Sequence, residues 1–290
     1  MPIRVSDLSY TYGVGTPSET KALDSVSLFI DDGEFVGLIG PTGSGKSTLV
    51  QHLNGLIRPA EGKVLVDGVD IGKPSRPLLS IRQKVGLVFQ YPEAQLFEET
   101  VFADVGFGPR NMGLSPEEVR ERVVGALAAV HLPAERFGQR SPLQLSGGEK
   151  RKAAIAGVLA MRPKVLILDE PTAGLDPAAR EEIMGQVHRY RLENQATVVL
   201  ISHDMDTVAR SATRVVVMFG GRVVLDGKPR EVFGRGEELE PLGLGMPQVT
   251  ELMSRLQERG RPVRRDLVTL GEAAEEILKL LQANRCSSFG

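Results

Sequence analysis

An apolar run at 35–39 leads straight into Gly40-Pro41-Thr42-Gly43-Ser44-Gly45-Lys46-Ser47, and a helix-like stretch follows to about residue 56. No other passage limits the possible folds as tightly. Strand, glycine-rich loop and helix in that order make a β-loop-α unit, and such units build parallel sheets. The glycines let the backbone curl so that several N–H groups point at one anion, and the start of the helix adds positive potential. This passage predicts a nucleotide phosphate site made by Gly40, Pro41, Thr42, Gly43, Ser44, Gly45, Lys46, Ser47 and Thr48. In it Lys46 bridges the β- and γ-phosphates, and the Ser47 hydroxyl is a magnesium ligand.

The flanking sequence fits an α/β chain. Strands are expected at 3–12, 26–30, 35–39, 63–66 and 85–89, with Asp31-Asp32-Gly33 and Asp67-Gly68 as hairpin turns. From residue 98 to about 132 the chain turns helical and charge-rich, and Ser115-Pro116-Glu117-Glu118 carries the marks of a helix start. Alternation then resumes: helix 148–161, strand 165–168, helix 177–192, strand 197–202, a short helix, and strands 215–219 and 222–225. That pattern predicts a mostly parallel sheet with a separate helical insertion. Residues 234–247, rich in Gly, Glu and Pro, read as a linker. Beyond it Val249, Leu252, Met253 and Leu256 make one apolar stripe, and Ala274, Ile277, Leu278 and Leu281 make a second. Two short helices bury little area alone, so the pair reads either as a cap on the main domain or as a dimerisation module. Residues 285–290 read as a polar tail.

Composition narrows the setting. No stretch approaches eighteen apolar residues, the N-terminus lacks the pattern of a signal peptide, and the single cysteine, Cys286, excludes an intramolecular disulfide framework. A net charge of −2 weighs against nucleic acid as the main partner. The expectation is a soluble cytosolic chain; for any action at a membrane, other chains must supply the membrane part.

Two further passages carry chemistry. Residues 165–168 are apolar throughout, as in a strand covered on both faces, and end in Asp169-Glu170. The end of such a strand meets the phosphate-loop edge of the sheet. There Asp169 holds magnesium, directly or through water, and Glu170 polarises an attacking water. The second passage is Leu145-Ser146-Gly147-Gly148-Glu149, which opens a helix. Ser146 serves as its N-cap and, with the exposed N–H groups, grips a γ-phosphate. This turn cannot fold back onto its own phosphate site and reads as serving a neighbour's.

The phosphate loop, Gln90 after a strand, the turn at 146–148, Asp169-Glu170, Gly174-Leu175-Asp176 and His203 at a strand end stand in one order. In that order residues 1 to about 235 resemble the ATP-binding-cassette ATPases. The resemblance implies an α/β P-loop NTPase with a RecA-like, mostly parallel sheet core, an antiparallel β-subdomain and an α-helical subdomain at about 91–160. Residues 1–235 would be the nucleotide-binding domain, and 236–290 a linker with a small C-terminal helical appendage that helps two subunits hold together. ATP and Mg2+ are implied as substrate and cofactor, with Ser47, Gln90 and Asp169 at the metal. Tyr12 is implied as the aromatic on which adenine stacks, with Tyr10 the second candidate. Glu170 would be the general base, His203 the switch that contacts the γ-phosphate, and Gln90 the residue that touches the lytic water and reports to a transmembrane partner. Ser146, Gly147 and Gly148 would bind the γ-phosphate of the other subunit's ATP, beside Asp176 in a loop that crosses the dimer interface.

Three passages bring the resemblance closer to the ATPases of energy-coupling factor transporters, of the A-prime (second ATPase) type. They are Tyr10-Thr11-Tyr12-x-x-Gly15-Thr16-Pro17, Gln90-Tyr91-Pro92-Glu93-x-Gln95-Leu96-Phe97, and Phe107-Gly108-Pro109-Arg110-Asn111. Tyr91 stands where Phe is commoner. This implies an ATPase subunit peripheral to the cytoplasmic face of the cell membrane. Its partners would be a sister ATPase (or a second copy), a transmembrane scaffold and a substrate-capture membrane protein, together importing vitamins or other micronutrients. The alternatives within the fold are subunits of a binding-protein-dependent importer or of a cobalt/nickel importer. Soluble translation and repair machines are disfavoured by the single phosphate loop and by the lack of sustained heptads between Lys46 and Ser146.

Overall fold

Among residues 1–73 and 78–287, which the computed structural model describes, ten strands sort into two sheets. β1 (Ile3–Tyr12), β2 (Thr20–Ile30), β4 (Glu61–Val66) and β5 (Val69–Asp70) form an antiparallel sheet in the order β2-β1-β4-β5. β3 (Phe35–Ile39), β6 (Val85–Val88), β7 (Val165–Asp169), β8 (Thr197–Ile201), β9 (Arg214–Phe219) and β10 (Arg222–Gly227) form the other, in the order β10-β9-β3-β8-β7-β6. Every pairing in this second sheet is parallel except that of the edge strand β10 with β9. The apolar run at 165–168, predicted to be covered on both faces, is so in β7, and β3, β6 and β8 beside it are likewise buried at every position.

The helices follow as α1 (Lys46–Leu53), α2 (Leu79–Lys84), α3 (Val101–Asn111), α4 (Pro116–Ala129), α5 (Ala134–Phe137) and α6 (Gly147–Leu159). After these come α7 (Pro177–Asn194), α8 (Met205–Ser211), α9 (Pro229–Phe233), α10 (Gly236–Leu239), α11 (Gln248–Glu258) and α12 (Leu270–Ser287). Strand periodicity divides the core in two. Leu166, Leu168, Val198, Leu200, Val215 and Val217 face a cluster shared with α3, α4, α6 and α7. Their neighbours Val165, Ile167, Val199, Ile201, Val216 and Met218 face a second cluster shared with α1 and the antiparallel sheet. Each such side chain contributes about 1.5–3 kcal/mol by leaving water. The result is a parallel sheet held between two covers, with α1 clamped beneath it.

The structure departs from expectation in four places. Asp67-Gly68 turns a hairpin, but Asp31-Asp32-Gly33 does not, because β2 and β3 lie in different sheets. The stretch 234–247 is not a free linker: α10 and a following turn lie within it, and Leu239 and Leu244 are buried in the main core. On α12 the covered face is Ala273 with the half-buried Ile277 and Leu280, against Met253, Val263 and Leu267, so of the expected stripe only Ile277 belongs to it. Ala274, Leu278 and Leu281 are instead exposed, as is Leu252 on α11. The predicted tail also begins later than expected, since α12 runs to Ser287 and 288–290 lie outside the described residues. No helix among the described residues is long and apolar enough to cross a membrane.

Candidate active site

Parallel strands deliver their C-terminal ends to one edge of the sheet, and four of the predicted passages arrive there together. β3 ends at Gly40, β7 at Asp169-Glu170 and β8 at Ser202-His203, and Gln90 lies exposed just past β6. Register places Leu38 beside Ile201 and Ile201 beside Asp169, so the β8 end sits between the phosphate loop and the acidic pair.

The loop itself is shaped by glycine. Gly40, Gly43 and Gly45 all have positive φ, and a Cβ on Gly40 or Gly45 would lie 2.2 Å from the Met218 carbonyl oxygen or 2.4 Å from that of Ala22. Among the described residues no side chain caps α1. By contrast α3, α4, α6, α7 and α8 are capped by Thr100, Ser115, Ser146, Asp176 and Asp204. The first-turn amides of α1 thus keep their hydrogen-bonding capacity for an anion. Lys46 Nζ donates to the carbonyls of Gly40 (2.7 Å) and Pro41 (2.8 Å) and reaches Ser44 Oγ at 3.3 Å, which folds the ammonium over the loop. Burial pulls its pKa below the ordinary lysine value, opposed by the charges of Glu170 and Asp169.

Ser47 Oγ donates to Asp169 Oδ2 at 2.8 Å, joining the start of α1 to the end of β7. Burial raises the Asp169 pKa, and the Ser47 hydrogen bond and the Lys46 charge oppose it. One hydroxyl and one carboxylate side by side could hold a divalent cation. One residue on, Glu170 adopts φ 51, a left-handed backbone that strains a non-glycine residue by about 1–3 kcal/mol. Its N–H still donates to the Ile201 carbonyl at 3.0 Å, so the strain lies past a fixed ladder. Glu170 Oε2 meets His203 Nδ1 at 2.8 Å; the carboxylate is 13% exposed and the imidazole 76%. A hydrogen bond there puts a ring proton on Nδ1.

Tyr12, at the end of β1, is exposed, and its hydroxyl lies 3.4 Å from Thr48 Oγ1 in the first turn of α1. Tyr10 is half-buried against the core, so of the two predicted tyrosines Tyr12 is the more exposed. The turn at 146–148 lies on the helical layer. Ser146 and Glu149 form a reciprocal capping box, and the pKa of Glu149 is held down by its bonds to Ser146. A Cβ added to Gly147 or Gly148 would meet nothing within 4 Å. Asp176 caps α7 by accepting from Ala179 N at 2.9 Å and is exposed.

Sequence reasoning missed one residue that ties these parts together. Arg151, one turn into α6 and only 5% exposed, donates to Glu93 through Nε (3.2 Å) and Nη2 (3.0 Å) and to the Ala173 carbonyl. Burial opposes it, but the guanidinium holds Glu93 below the usual carboxylate range. The helix bearing the 146–148 turn is thereby bound both to the segment after Gln90 and to the loop that leads to Asp176. Two other singled-out passages also converge: Gln95, Leu96 and Phe97 line one cleft of about 460 Å3 with Phe107, Gly108 and Asn111. Phe97 and Phe107 meet edge to face at 4.9 Å there, and both are exposed.

Comparison with known proteins gives a consistent result. The sequence model of the ABC transporter family matches residues 23–173. An "Energy-coupling factor transporter ATP-binding protein EcfA2" of Symbiobacterium thermophilum is 55% identical over 286 residues, 98% of this chain and 98% of that protein. The protein of the same name from Caldanaerobacter subterraneus is 52% identical over 285 residues, 98% of this chain and 99% of that protein. Among solved structures, cbiO1 from Clostridium perfringens, part of the ABC transporter complex cbiONQ, is similar with TM-score 0.73 and 40% identity over 87% of this chain and 98% of its own. An ATP-binding cassette solved as a dimer in a post-hydrolysis state bound to ADP and Pi is similar with TM-score 0.71 and 33% identity, covering 78% of this chain and 98% of that one.

Proposed function

The chain belongs to the ABC transporter family and, within it, to the energy-coupling factor transporter ATP-binding proteins, and from that premise we propose how its own residues act. It is an ATP-hydrolysing subunit whose turnover is coupled to transport. The observation that carries the residue assignments is the meeting of the 40–45 loop, the Ser47–Asp169 pair and the Glu170–His203 pair at one sheet edge. The loop amides and Lys46 take the β- and γ-phosphates, and Tyr12 takes the adenine ring. Ser47 and Asp169, hydrogen-bonded side by side, would hold a magnesium ion together with Gln90, a set of few protein donors of the kind that suits magnesium. When bound, that ion neutralises charge on the phosphate oxygens. Glu170 accepts the proton of the attacking water, and His203 Nδ1 holds the carboxylate in place for it.

The turn at 146–148 serves a second ATPase. Both glycines face open space, so the fold of this chain does not itself require them to lack side chains; an approaching phosphate does. Two subunits then meet head to tail with an ATP at each phosphate loop, closed by the other's Ser146, Gly147 and Gly148 and flanked by Asp176. Gly147→Asp sets a carboxylate facing that phosphate in room that accepts it. The variant should fold as before and fail to dimerise with a non-hydrolysable ATP analogue in light scattering. Wild-type dimerisation would refute the cross-subunit role.

The cleft at 95–97 and 107–111, apolar and walled by Phe97, Phe107, Met112 and Met161, is the seat for a transmembrane scaffold protein. Arg151 and Glu93 tie this cleft to the 146–148 turn, so closing the dimer moves the seat. The chain works on the cytoplasmic face of the membrane, with a sister ATPase as the partner that the A-prime character favours, and the imported micronutrient is captured by a separate membrane protein. Purification from membranes in mild detergent should bring down a second ATPase and membrane-spanning chains. Recovery of this chain alone, as a soluble homodimer, would overturn that assembly.

A further inference from the structure

The base platform assigned to Tyr12 is held by a closed circuit of four residues from β1 and α1. Tyr12 Oη lies 3.4 Å from Thr48 Oγ1, and the Thr48 carbonyl lies 2.8 Å from His52 Nδ1. The His52 ring meets the Tyr10 ring edge-on at 4.9 Å and 73°, and Tyr10 meets Tyr12 edge-on at 4.9 Å and 83°, which closes the circuit. We infer that Tyr10 and His52 are positioning residues that fix the Tyr12 ring for a nucleobase, an inference that rests on the assignment of Tyr12 above.

His52 is an expensive way to fill its space. It is fully buried, and Nε2 has no hydrogen-bond partner among the described residues. Burial pushes the imidazole pKa down despite its bond to Thr48, so the ring stays neutral, with its one N–H on Nδ1 committed to the Thr48 carbonyl. A leucine would occupy the same core position with no orphaned acceptor, so folding alone does not call for histidine. An imidazole does two things that a leucine does not: it bonds back to the turn bearing Thr48, and it sets a ring against Tyr10. Tyr12 stands at the exposed end of its strand, where an unrestrained ring would lose rotamer freedom on stacking. The circuit removes that freedom beforehand. Because Thr48 also belongs to the phosphate-binding set, the circuit fixes the platform relative to the phosphate loop.

The test compares two ligands on the full chain by calorimetry with magnesium present: a non-hydrolysable ATP analogue, and inorganic tripolyphosphate, which has no base. Tyr12→Ala should weaken the analogue by roughly tenfold or more and leave tripolyphosphate unchanged. Tyr10→Leu and His52→Gln should each weaken the analogue about three- to tenfold, again sparing tripolyphosphate. The glutamine keeps a donor near the Thr48 carbonyl and removes the ring, and if one variant fails to fold the other decides. A purely structural role would move both ligands or neither, and either result in Tyr10→Leu and His52→Gln overturns the inference while Tyr12 keeps its place. An unaltered analogue affinity in Tyr12→Ala overturns the platform itself and this inference with it.

Discussion

Glu170→Gln is expected to slow ATP turnover by about two to four orders of magnitude, the range a positioned general base supplies, while nucleotide still binds. The amide matches the carboxylate in shape and keeps an oxygen to accept from His203 Nδ1, so the 2.8 Å contact survives. It loses the basic oxygen that would take a proton from water. Glutamine meets the same backbone cost at φ 51 as glutamate, so folding is not the variable. Lys46, Ser47 and Asp169 are untouched, and the variant should accumulate as an ATP-closed dimer. Steady-state phosphate release checks this, and turnover near the wild-type rate would remove Glu170 from the role of base.

Lys46→Ala is the second large effect, and it acts on binding. The ammonium sits between the carbonyls of Gly40 and Pro41 at the mouth of the loop. From there it can make charge-assisted hydrogen bonds to two phosphates, each contributing about 1.5–3 kcal/mol. Losing them should weaken nucleotide binding by about 10²–10⁴-fold. Burial already disfavours the charged form of this lysine, so its removal relieves a desolvation cost as it deletes those bonds, and the fold should persist. Calorimetry reads the outcome, and an unchanged affinity would sink the phosphate-loop assignment.

What the sequence revealed and what it hid divide along a physical line. The phosphate loop, the apolar strands and the caps at Ser115 and Ser146 are local devices, written in a few adjacent residues. Which strands pair is not local. Asp31-Asp32-Gly33 has hairpin chemistry, yet β3 gains more by entering a sheet buried on both faces than by pairing with β2. Arg151 stayed hidden because its partners, Glu93 and Ala173, are distant in sequence and nothing near Arg151 signals them. On α12 the apolar residues come in adjacent pairs, 273–274, 277–278 and 280–281, so two faces satisfy the same periodicity. Only the positions of Met253, Val263 and Leu267 decide which face is covered. Within 234–247 the Gly and Pro content masked the apolar anchors Leu239 and Leu244.

The left-handed backbone at Glu170 has an evolutionary corollary. Glycine is the residue that occupies such a conformation without steric cost, and it has no carboxylate. Pressure for thermal endurance alone would therefore draw this position toward glycine, while pressure for catalysis holds it at glutamate. A library of this chain ranked only by melting temperature would drift toward durable proteins that no longer turn over.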